Sequence, residues 1–464
     1  MAGLVFEIVW KSSIALLIVM ALGKFFDQLF TFGESVWQSI IVLAFYGYCC
    51  ISLFTRSKHK LFHVLAIPIF TQFLHLFQKY AFPAGANSLW RLMPFVILSA
   101  YFLHFFCLKP PQLNAAEKWF LALWNTFQTA SLLISPNLEN IALGGFLIFL
   151  LVLPSYFAYL KMASKAQDFR PQIEMYCFLL YLILGIGTFG LVFAGAIYKG
   201  SDNLLATRNI TDTNVTMAYF ILLWPFALLY AFGNAGNWIY RLCCFAIFIS
   251  IVIFSFSRGA VILIFPYLLI SAYIVRDKIR VWNLLIPAPI ALLYIPDLSK
   301  LWTELDMGYF WTLRFSETSG VDSVFTKLQQ TSGRAEIHDI AYQLFLEKPL
   351  LGHGTGSFEV IGPGYREAHS LFYTLLAEQG LVGVLATYGV YLYFILLLFQ
   401  YTLIDRKYAL LLISLSFYLL FNHSVGSVFV ILPAKSVTIN FIAPMLLLCI
   451  YFYANQAQNE QAET

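Results

Sequence analysis

Apolar residues dominate the chain in successive runs of about 17 to 25 residues, separated by short polar segments. A run of this length is what an α-helix needs to cross about 30 Å of hydrocarbon. The runs predict an all-α polytopic integral membrane protein with about 12–14 transmembrane helices. The count is a range because two or three weaker runs also fit re-entrant segments.

Composition excludes a soluble globular protein. Hydrophobic residues make up 60% of the 464 residues and charged residues only 11%, whereas a soluble domain carries about 25% charged residues. The net charge of +4 is small, and the basic residues form short clusters instead of a stripe. We therefore expect the lipid bilayer as a partner and no nucleic acid.

The basic clusters orient the chain, because they fall in every second loop and the positive-inside rule places such loops in the cytoplasm. They are Arg56 with Lys58 and Lys60, Lys109 with Lys118, Lys161 with Lys165 and Arg170, Arg241, Arg276 with Lys278 and Arg280, and Arg406 with Lys407. Both termini are then predicted to lie inside. The long polar stretch from about Asp297 to Ala368 is predicted to face the periplasm.

This topology divides the chain into four predicted parts. Residues 1–296 hold about 11 spans, 297–368 form the large periplasmic loop, 369–454 hold the C-terminal spans, and 455–464 form a disordered cytoplasmic tail. Polar features concentrate after Tyr240. Function is therefore sought in the second half of the chain.

The periplasmic loop is predicted to contain an amphipathic helix from Gly333 to about Glu347, lying on the membrane or on the helix bundle. Ser332 would cap it and Pro349 would stop it. Its apolar positions share one face: Ile337, Ile340, Ala341, Leu344 and Phe345. The glycine-rich run at 352–356 is predicted to be a tightly turned or mobile connection, since no strand precedes it and its spacing fits no phosphate-binding fingerprint.

Two arginines are candidates for binding an anion. Arg258 lies where a predicted span reaches the outer face, in the triplet Ser257–Gly259. An arginine near hydrocarbon has an anionic partner, a function, or a snorkelling position at the interface. Arg334, at the start of the loop helix, is either a substrate contact or a solvated side chain. It shares with His338, four residues on, a helix face roughly opposite the apolar one.

His369 and Glu378 are the other candidates. His369 stands at the outer start of a span, where the helix dipole disfavours imidazolium and keeps a histidine able to accept a proton. The alternative is a structural interfacial histidine. Glu378, nine residues further along the same span, is an intramembrane acid with either a function or a partner on a neighbouring helix. Gly380 and Gly383 are predicted to permit close helix packing.

Two guanidinium groups and a neutral histidine on one face suit a substrate with a diphosphate and a hydroxyl group. Arginine binds phosphate bidentately, and histidine can take a proton. The acidic residues of the loop show no ligand spacing, so we expect no metal and no cofactor. Arginine would then stabilise the leaving group.

Three segments resemble the conserved regions of the bacterial O-antigen ligase and polymerase superfamily. They are Phe254–Phe265, Ser332–Phe358 and Ala368–Gly383, within roughly the last 210 residues. The family pattern of a histidine, ten residues and a glycine is met by His369 and Gly380. The chain departs from the family pattern at His338, where the family usually carries a tryptophan. This difference concerns a detail of the packing of the loop more than the chemistry.

The resemblance implies a metal-independent glycosyltransferase of the GT-C type that uses undecaprenyl-diphosphate-linked glycan as donor and transfers it with inversion. Arg258 and Arg334 would bind the diphosphate, and His369 would activate the acceptor hydroxyl. Ser257, His338 and Glu378 are further substrate-binding candidates. We expect the active site to face the periplasm from the bacterial inner membrane.

Several reactions fit these motifs. The favoured one is a ligase that moves glycan onto a lipid A-core acceptor, and the alternative is a polymerase that joins repeat units on the lipid carrier, with the growing glycan as acceptor. A protein O-oligosaccharyltransferase and a lipid-linked-oligosaccharide flippase are weaker alternatives. A flippase should carry basic residues deep in several spans, whereas the basic candidates here lie at one face.

Overall fold

The computed structural model describes residues 36–81, 89–193, 197–198, 206–207, 213–233, 238–255, 258–276, 334–363, 367–403, 405–424 and 441–463. Within these ranges the regular structure is helical, apart from two paired two-residue strands. The predicted first span, the predicted span ending near Pro296, and residues Ser257 and Ser332 lie outside the described residues.

The helices of the first half follow the predicted apolar runs. Their bounds are α1 Val36–Phe54, α2 Lys60–Ala81, α3 Leu89–Leu108, α4 Ala115–Leu133, α5 Leu138–Phe146, α6 Leu153–Ala163, α7 Phe169–Phe193 and α8 Thr213–Phe232. Strands β1 Ile197–Tyr198 and β2 Ala206–Thr207 pair antiparallel between α7 and α8. A π-helical segment, Leu147–Val152, joins α5 to α6. It precedes Pro154, whose ring clashes with the carbonyl four residues earlier in a regular α-helix.

The second half contains the helices that carry the candidate residues. Their bounds are α9 Trp238–Ser255, α10 Arg258–Ile274, α11 Arg334–Glu347, α12 Phe358–Ile361, α13 Leu371–Thr402, α14 Lys407–Ser424 and α15 Ile442–Glu463. The predicted disordered tail is wrong, since α15 continues through it. Gln456 ties this end to the bundle by donating from Nε2 to the carbonyl of Ala166 at 2.8 Å.

Three described helical stretches are long and apolar enough to cross a membrane. They are Leu138–Ala163, Phe169–Gly187 and Leu371–Thr402. Seven further described apolar helices are shorter: Ser39–Phe54, Lys60–Thr71, Leu92–Leu108, Met217–Phe232, Trp238–Ile249, Leu263–Ile274 and Ile442–Gln456. Together with the composition, these helices make the chain a polytopic integral membrane protein.

Three of the basic loops meet at one end of the bundle. Lys165, between α6 and α7, donates from Nζ to Oε1 of Gln112 at 3.0 Å. Asp405, between α13 and α14, lies within electrostatic range of Arg170. We call this the inner end and the opposite one the outer end. The structure thus groups three of the loops that the positive-inside rule assigns to a single side.

Helix α4 begins at the inner end with a capping box. Asn114 Oδ1 accepts from the backbone N–H of Glu117 at 2.8 Å, and the Glu117 carboxylate accepts from the backbone N–H of Asn114 at 2.8 Å. The same carboxylate forms an ion pair with Lys161 at the end of α6. These contacts hold α4 against α6, and this pair of helices lines a cavity described below.

Aromatic side chains join the buried helices. Trp224 of α8 stacks on Phe248 of α9 with ring centroids 4.6 Å apart. Buried tyrosine hydroxyls donate to backbone carbonyls of neighbouring helices, as Tyr267 does to Ile221 at 3.0 Å and Tyr181 does to Cys244 at 2.6 Å. These two hydroxyls thus keep a hydrogen bond inside an apolar core.

Helix α13 folds back on itself at Gly380, which has φ 62° and ψ −162°. Phe372 and Tyr388 lie sixteen residues apart in the sequence, so a straight helix would separate them by about 24 Å. Their ring centroids are instead 6.1 Å apart. Helix α13 therefore consists of two segments, 371–379 and 381–402, which meet at a sharp bend that brings these two rings together.

The fold-back leaves backbone groups without partners inside α13, and a preceding loop binds them. We call residues 349–356 the glycine loop. The backbone N–H groups of His353 and Gly354 donate to the carbonyls of Ala377 at 3.0 Å and Glu378 at 2.7 Å. In return, the carbonyls of Pro349 and Leu350 accept from the N–H groups of Leu381 at 2.8 Å and Val382 at 3.1 Å. The described bend is thus paired although it is buried.

The glycine loop is tightly turned, as the sequence predicts, with positive φ at Gly352, Gly354 and Gly356. A Cβ atom at Gly352 would lie 2.4 Å from the backbone carbonyl carbon of Glu378. The prediction that Gly380 permits packing between helices is wrong, because a Cβ there would lie 2.5 Å from the carbonyl oxygen of Leu350 in the loop. The glycine is needed for the bend itself.

Replacement of Gly380 by alanine should destabilise the protein by about 2 kcal/mol or more, because alanine disfavours the left-handed backbone and its methyl group meets the Leu350 carbonyl. Gly389→Ala, nine residues further along α13, is the control. A Cβ at Gly389 meets nothing within 4 Å, so that variant should be neutral or slightly stabilised. Thermal unfolding in detergent measures both, and equal midpoints for the two variants would contradict the role of the bend.

Candidate functional site

The loop helix α11 packs on α13 through a small apolar cluster. Its buried members come from α11, α12, α13 and the residues just before α13: Ile337, Ala341, Phe358, Ala368 and Ala377. Helix α11 ends at Glu347, two residues before Pro349, which confirms the predicted helix and its stop. Small alanines on both helices allow the close approach that fixes α11 above the bundle.

His338 is held against α13 by ring stacking. Its imidazole lies on the phenol ring of Tyr373, with centroids 4.2 Å apart and an interplanar angle of 12°. The prediction that His338 faces away from the apolar side of α11 is wrong, because His338 lies one residue, or about 100° of turn, from the buried Ile337. A planar aromatic ring is what this contact needs, and histidine supplies one.

Arg334 joins the start of α11 to the end of α14. Its Nη1 donates to the backbone carbonyl of Ser424, the last residue of α14, at 2.9 Å. A guanidinium at a helix C-terminus satisfies an otherwise unpaired carbonyl and interacts favourably with the helix dipole. The arginine therefore has a fixed position as well as a charge.

His369 has the backbone conformation of a constrained residue. It is the non-glycine residue with positive φ, 53°, in the part of the chain that the structure describes. Ala368 before it donates its N–H to Thr374 Oγ1 at 3.1 Å, and Ser370 after it begins α13 in an extended conformation. Histidine tolerates the left-handed region better than most residues, and such conformations cluster at functional sites.

His423 lies close to His338 and Phe372, and the sequence did not single it out. It lies on α14 next to Ser424, and its Nδ1 lies 3.3 Å from the hydroxyl of Tyr388. Its ring also contacts that of Phe372, with centroids 5.8 Å apart. The signal was a polar Asn-His-Ser triplet ending an apolar run, but only the fold-back of α13 brings Phe372 and Tyr388 together beside it.

The pKa of His338 responds to the groups around it. Desolvation is the main cause that lowers this pKa, and the electrostatic influence of Arg334, His369 and His423 lowers it further. A hydrogen bond with the Ala368 backbone opposes the shift. His338 is therefore neutral at neutral pH, and its buried Nε2 has no hydrogen-bond partner among the described residues. We call His338, His369, His423 and Arg334 the histidine cluster.

Arg258 lies at the same end of the bundle, although only its backbone is described. Tyr267 of α10 contacts Phe417 of α14, with ring centroids 5.1 Å apart. Arg258 lies nine residues before Tyr267 and Ser424 lies seven after Phe417, which corresponds to about 14 Å and about 10 Å of helix rise. The first residue of α10 and the Arg334 contact at Ser424 are therefore at similar levels.

Glu378 lies at the bend and not nine residues deeper along a straight helix. It is fully buried, and its Oε1 accepts from the backbone N–H of Phe358 at 3.4 Å. The N–H of Gly356 also binds this carboxylate, while Oε2 has no partner among the described residues. Its contacts are thus with the glycine loop and the start of α12. The structure shows it holding the loop.

A polar network attaches the glycine loop to α4 as well. Thr355 Oγ1 lies 2.9 Å from Ser131 Oγ and accepts from Gln379 Nε2 at 2.8 Å. Gln379 Nε2 also donates to Gln128 Oε1 at 2.9 Å. Asn137, just after α4, donates to the carbonyl of Gly356 at 2.9 Å. The loop is therefore held on two sides, by α13 and by the outer end of α4.

No group of three or more histidine, cysteine, aspartate or glutamate side chains is arranged to hold a metal ion within the described ranges. The protein is thus a polytopic membrane protein with a cationic and aromatic site at its outer end. This site is formed by the histidine cluster, the glycine loop and the start of α10. Residues 243–388 match the family model described as O-Antigen ligase. The sequence over this range is that of the Wzy_C O-antigen ligase domain family, whose members are lipid-linked glycan transferases of ligase and polymerase type.

The matched range includes α10, α11, the glycine loop and the first part of α13, and it stops before His423. Comparison with curated proteins and with solved structures finds no significant match. The family assignment therefore covers the residues that form most of the candidate site.

The lowered pKa of His338 predicts a loss of stability at acidic pH. The unfolded chain protonates this residue near pH 6.5, whereas the folded chain resists protonation to lower pH. The contribution of neutral His338 to the free energy of unfolding is complete above about pH 6.5 and declines as the pH falls below that value. His338→Phe keeps a ring on Tyr373 and removes the titration. Between about pH 7.5 and about pH 5.5 the thermal midpoint should fall more in wild type than in His338→Phe. An equal fall in both would argue against a depressed pKa.

Proposed function

We propose that this chain is an O-antigen ligase-like glycosyltransferase, which moves glycan from undecaprenyl diphosphate to a lipid A-core acceptor at the periplasmic face of the inner membrane. The observation that supports it is the convergence of Arg334, His338, His369 and His423 at the outer end, level with the start of α10. The reaction is metal-independent in this proposal, since cationic side chains lie where leaving-group charge would develop.

Arg258 and Arg334 bind the diphosphate of the donor in this proposal. Arginine matches phosphate oxygens with two parallel N–H groups, and a partly dehydrated site strengthens the attraction. Arg334 is positioned by the Ser424 carbonyl, and Arg258 begins a helix at a similar level. Ser257, which immediately precedes Arg258, is a further candidate for the same phosphate group.

His369 accepts the proton of the acceptor hydroxyl. The acceptor oxygen then attacks the anomeric carbon, the bond from that carbon to the diphosphate oxygen breaks, and the electron pair leaves with the diphosphate. The proton remains on the imidazole. One displacement of this kind inverts the anomeric centre, and the two arginines neutralise the charge of the leaving group.

His338 and Glu378 have different parts in this proposal. His338 is neutral, and its Nε2 beside Tyr373 has no hydrogen-bond partner in the described part of the chain, so it is suited to a hydrogen bond with a sugar hydroxyl. Glu378 acts through the glycine loop, because the described contacts of its carboxylate are with backbone N–H groups. It is therefore a positioning residue more than a substrate contact.

A polymerase that joins repeat units on the lipid carrier is the principal alternative, because both reactions use the same donor and the same leaving group. A protein O-oligosaccharyltransferase and a lipid-linked-oligosaccharide flippase rank below it. Basic residues deep in several spans would favour the flippase. The described cationic candidates lie at helix ends instead: Arg258 starts α10, and Arg334 starts α11.

His369→Asn should reduce glycan transfer at least about a hundredfold while the protein stays folded, because asparagine tolerates positive φ but cannot act as a base. His59→Asn at the inner end is the matched control, since His59 contacts Tyr176 far from the cluster. Arg334→Lys keeps a positive charge and a donor for the Ser424 carbonyl, and should still lose roughly tenfold or more of the activity. Full activity in both cluster variants would exclude this mechanism.

Deletion of the gene separates the two transfer reactions. Lipopolysaccharide gels with parallel analysis of carrier-linked glycan should show core without glycan and polymer accumulating on the carrier, because a ligase acts after polymerisation. Core that bears a single repeat unit would instead identify a polymerase. Complementation with wild type and with His59→Asn should restore the normal pattern, whereas His369→Asn should not.

A further inference from the structure

A cavity of about 540 Å³ lies on the other side of α13 from the histidine cluster. Leu375 and Gln379 of α13 line it, whereas Tyr373 carries the His338 stack. Leu375 and Tyr373 are two residues apart and therefore lie about 200° apart around the helix. The cavity is thus separate from the proposed transfer site.

The walls of the cavity are largely aromatic and aliphatic side chains from α4, α6, α13, α15 and the π-helical segment. Ring-bearing residues include Phe120, Trp124, Phe149, Phe157, Tyr393 and Tyr451. Along α4 the lining runs from Ala116 to Gln128, which is about 18 Å of helix rise. This length exceeds one leaflet, about 15 Å of the 30 Å hydrocarbon layer. Phe120 is 44% exposed, so this side of the cavity borders the lipid.

The outer end of the cavity is polar, with Gln128, Thr355 and Gln379. Both glutamines are at least nine-tenths buried. The Oε1 atom of Gln379 has no hydrogen-bond partner among the described residues. Gln128 accepts from Gln379 through Oε1, and no described residue accepts from its Nε2. The long apolar cavity therefore ends at two buried amides. Among the described residues, the Gln379 Oε1 acceptor and the Gln128 Nε2 donor are not used, so a ligand with a polar group at this end would be favoured.

The volume indicates the kind of chain that fits. A cavity of about 540 Å³ lies within the range of about 300–1,000 Å³ that is usual for a site holding one small ligand, which suits one unbranched acyl chain. A polyprenyl carrier with fifty-five carbons is much longer and carries branches along its whole length.

We propose that this cavity binds one acyl chain of an outer-leaflet glycerophospholipid, with the ester carbonyl accepting a hydrogen bond from the Gln128 amide. The chain runs from the Gln128 and Gln379 end towards Phe120 and Tyr451. Because Thr355 and Gln379 belong to both the cavity wall and the glycine loop network, the bound lipid supports the bend of α13. The proposal does not depend on the transfer reaction.

Photolabelling of the full chain tests this assignment. The protein is placed in nanodiscs of phosphatidylethanolamine and phosphatidylglycerol that contain phosphatidylethanolamine with a diazirine in one acyl chain. Labelled residues are located by mass spectrometry after irradiation. Leu121 lines the cavity and is 8% exposed, whereas neighbouring Leu123 is 66% exposed and absent from the lining. We expect label on both, through the cavity and through bulk lipid respectively.

Filling the cavity should separate the two labels. Gly389 lines it, and a Cβ there meets nothing within 4 Å, so Gly389→Phe has room to enter. Label on Leu121 should fall roughly tenfold while label on Leu123 stays constant. Gly47→Phe on α1, at an equally open glycine outside the cavity, should change neither. Ala386→Leu fills less of the cavity and serves as a second variant should Gly389→Phe fail to fold.

Two results would overturn the proposal. One is unchanged Leu121 labelling in a folded Gly389→Phe or Ala386→Leu variant. The other is a diazirine-bearing polyprenyl phosphate that labels Leu121 in preference to the phospholipid probe and is displaced by the same substitution. His369→Asn should be photolabelled like wild type. The photolabelling result can therefore be interpreted even if the proposed transfer mechanism is wrong.

Discussion

The architecture of the outer end depends on one exchange of backbone hydrogen bonds. The fold-back of α13 at Gly380 exposes carbonyls on one side and N–H groups on the other, in a buried part of the bundle. Such groups are costly unless they are paired. The glycine loop donates to the first set and accepts from the second, and its glycines allow its backbone to approach within contact of α13. Without the loop the bend has no stable form.

The bend in turn creates the site. It places Phe372 beside Tyr388, and both beside His423 on α14, although a straight α13 would separate the first two by about 24 Å. It also directs the 371–379 segment under α11, where Tyr373 receives the His338 ring. The bend at Gly380, although it carries no charge, therefore brings Arg334, the aromatic side chains and His369 together.

The sequence predicted what local pattern determines. Helical periodicity and Pro349 predicted α11 and its end, and the glycines predicted the tight loop. Three of the loops that carry basic clusters do meet at one end. It failed where distant contacts decide. Gly380 within an apolar run looks like any helix-packing glycine, and the Arg334 contact with the Ser424 carbonyl requires the docked α14. Glu378 looked like a deep membrane acid until the bend placed it under the loop.

The order of the bend and its partner along the chain has a consequence for biosynthesis. The glycine loop lies some thirty residues upstream of the groups that it binds, so the ribosome releases it first. When the apolar segment around Gly380 enters the bilayer, the backbone that will pair with it is already synthesised and tethered close by. Closure spans a short loop, for which the entropy cost is small. The nascent helix can therefore break at the glycine without waiting for the helices that follow it.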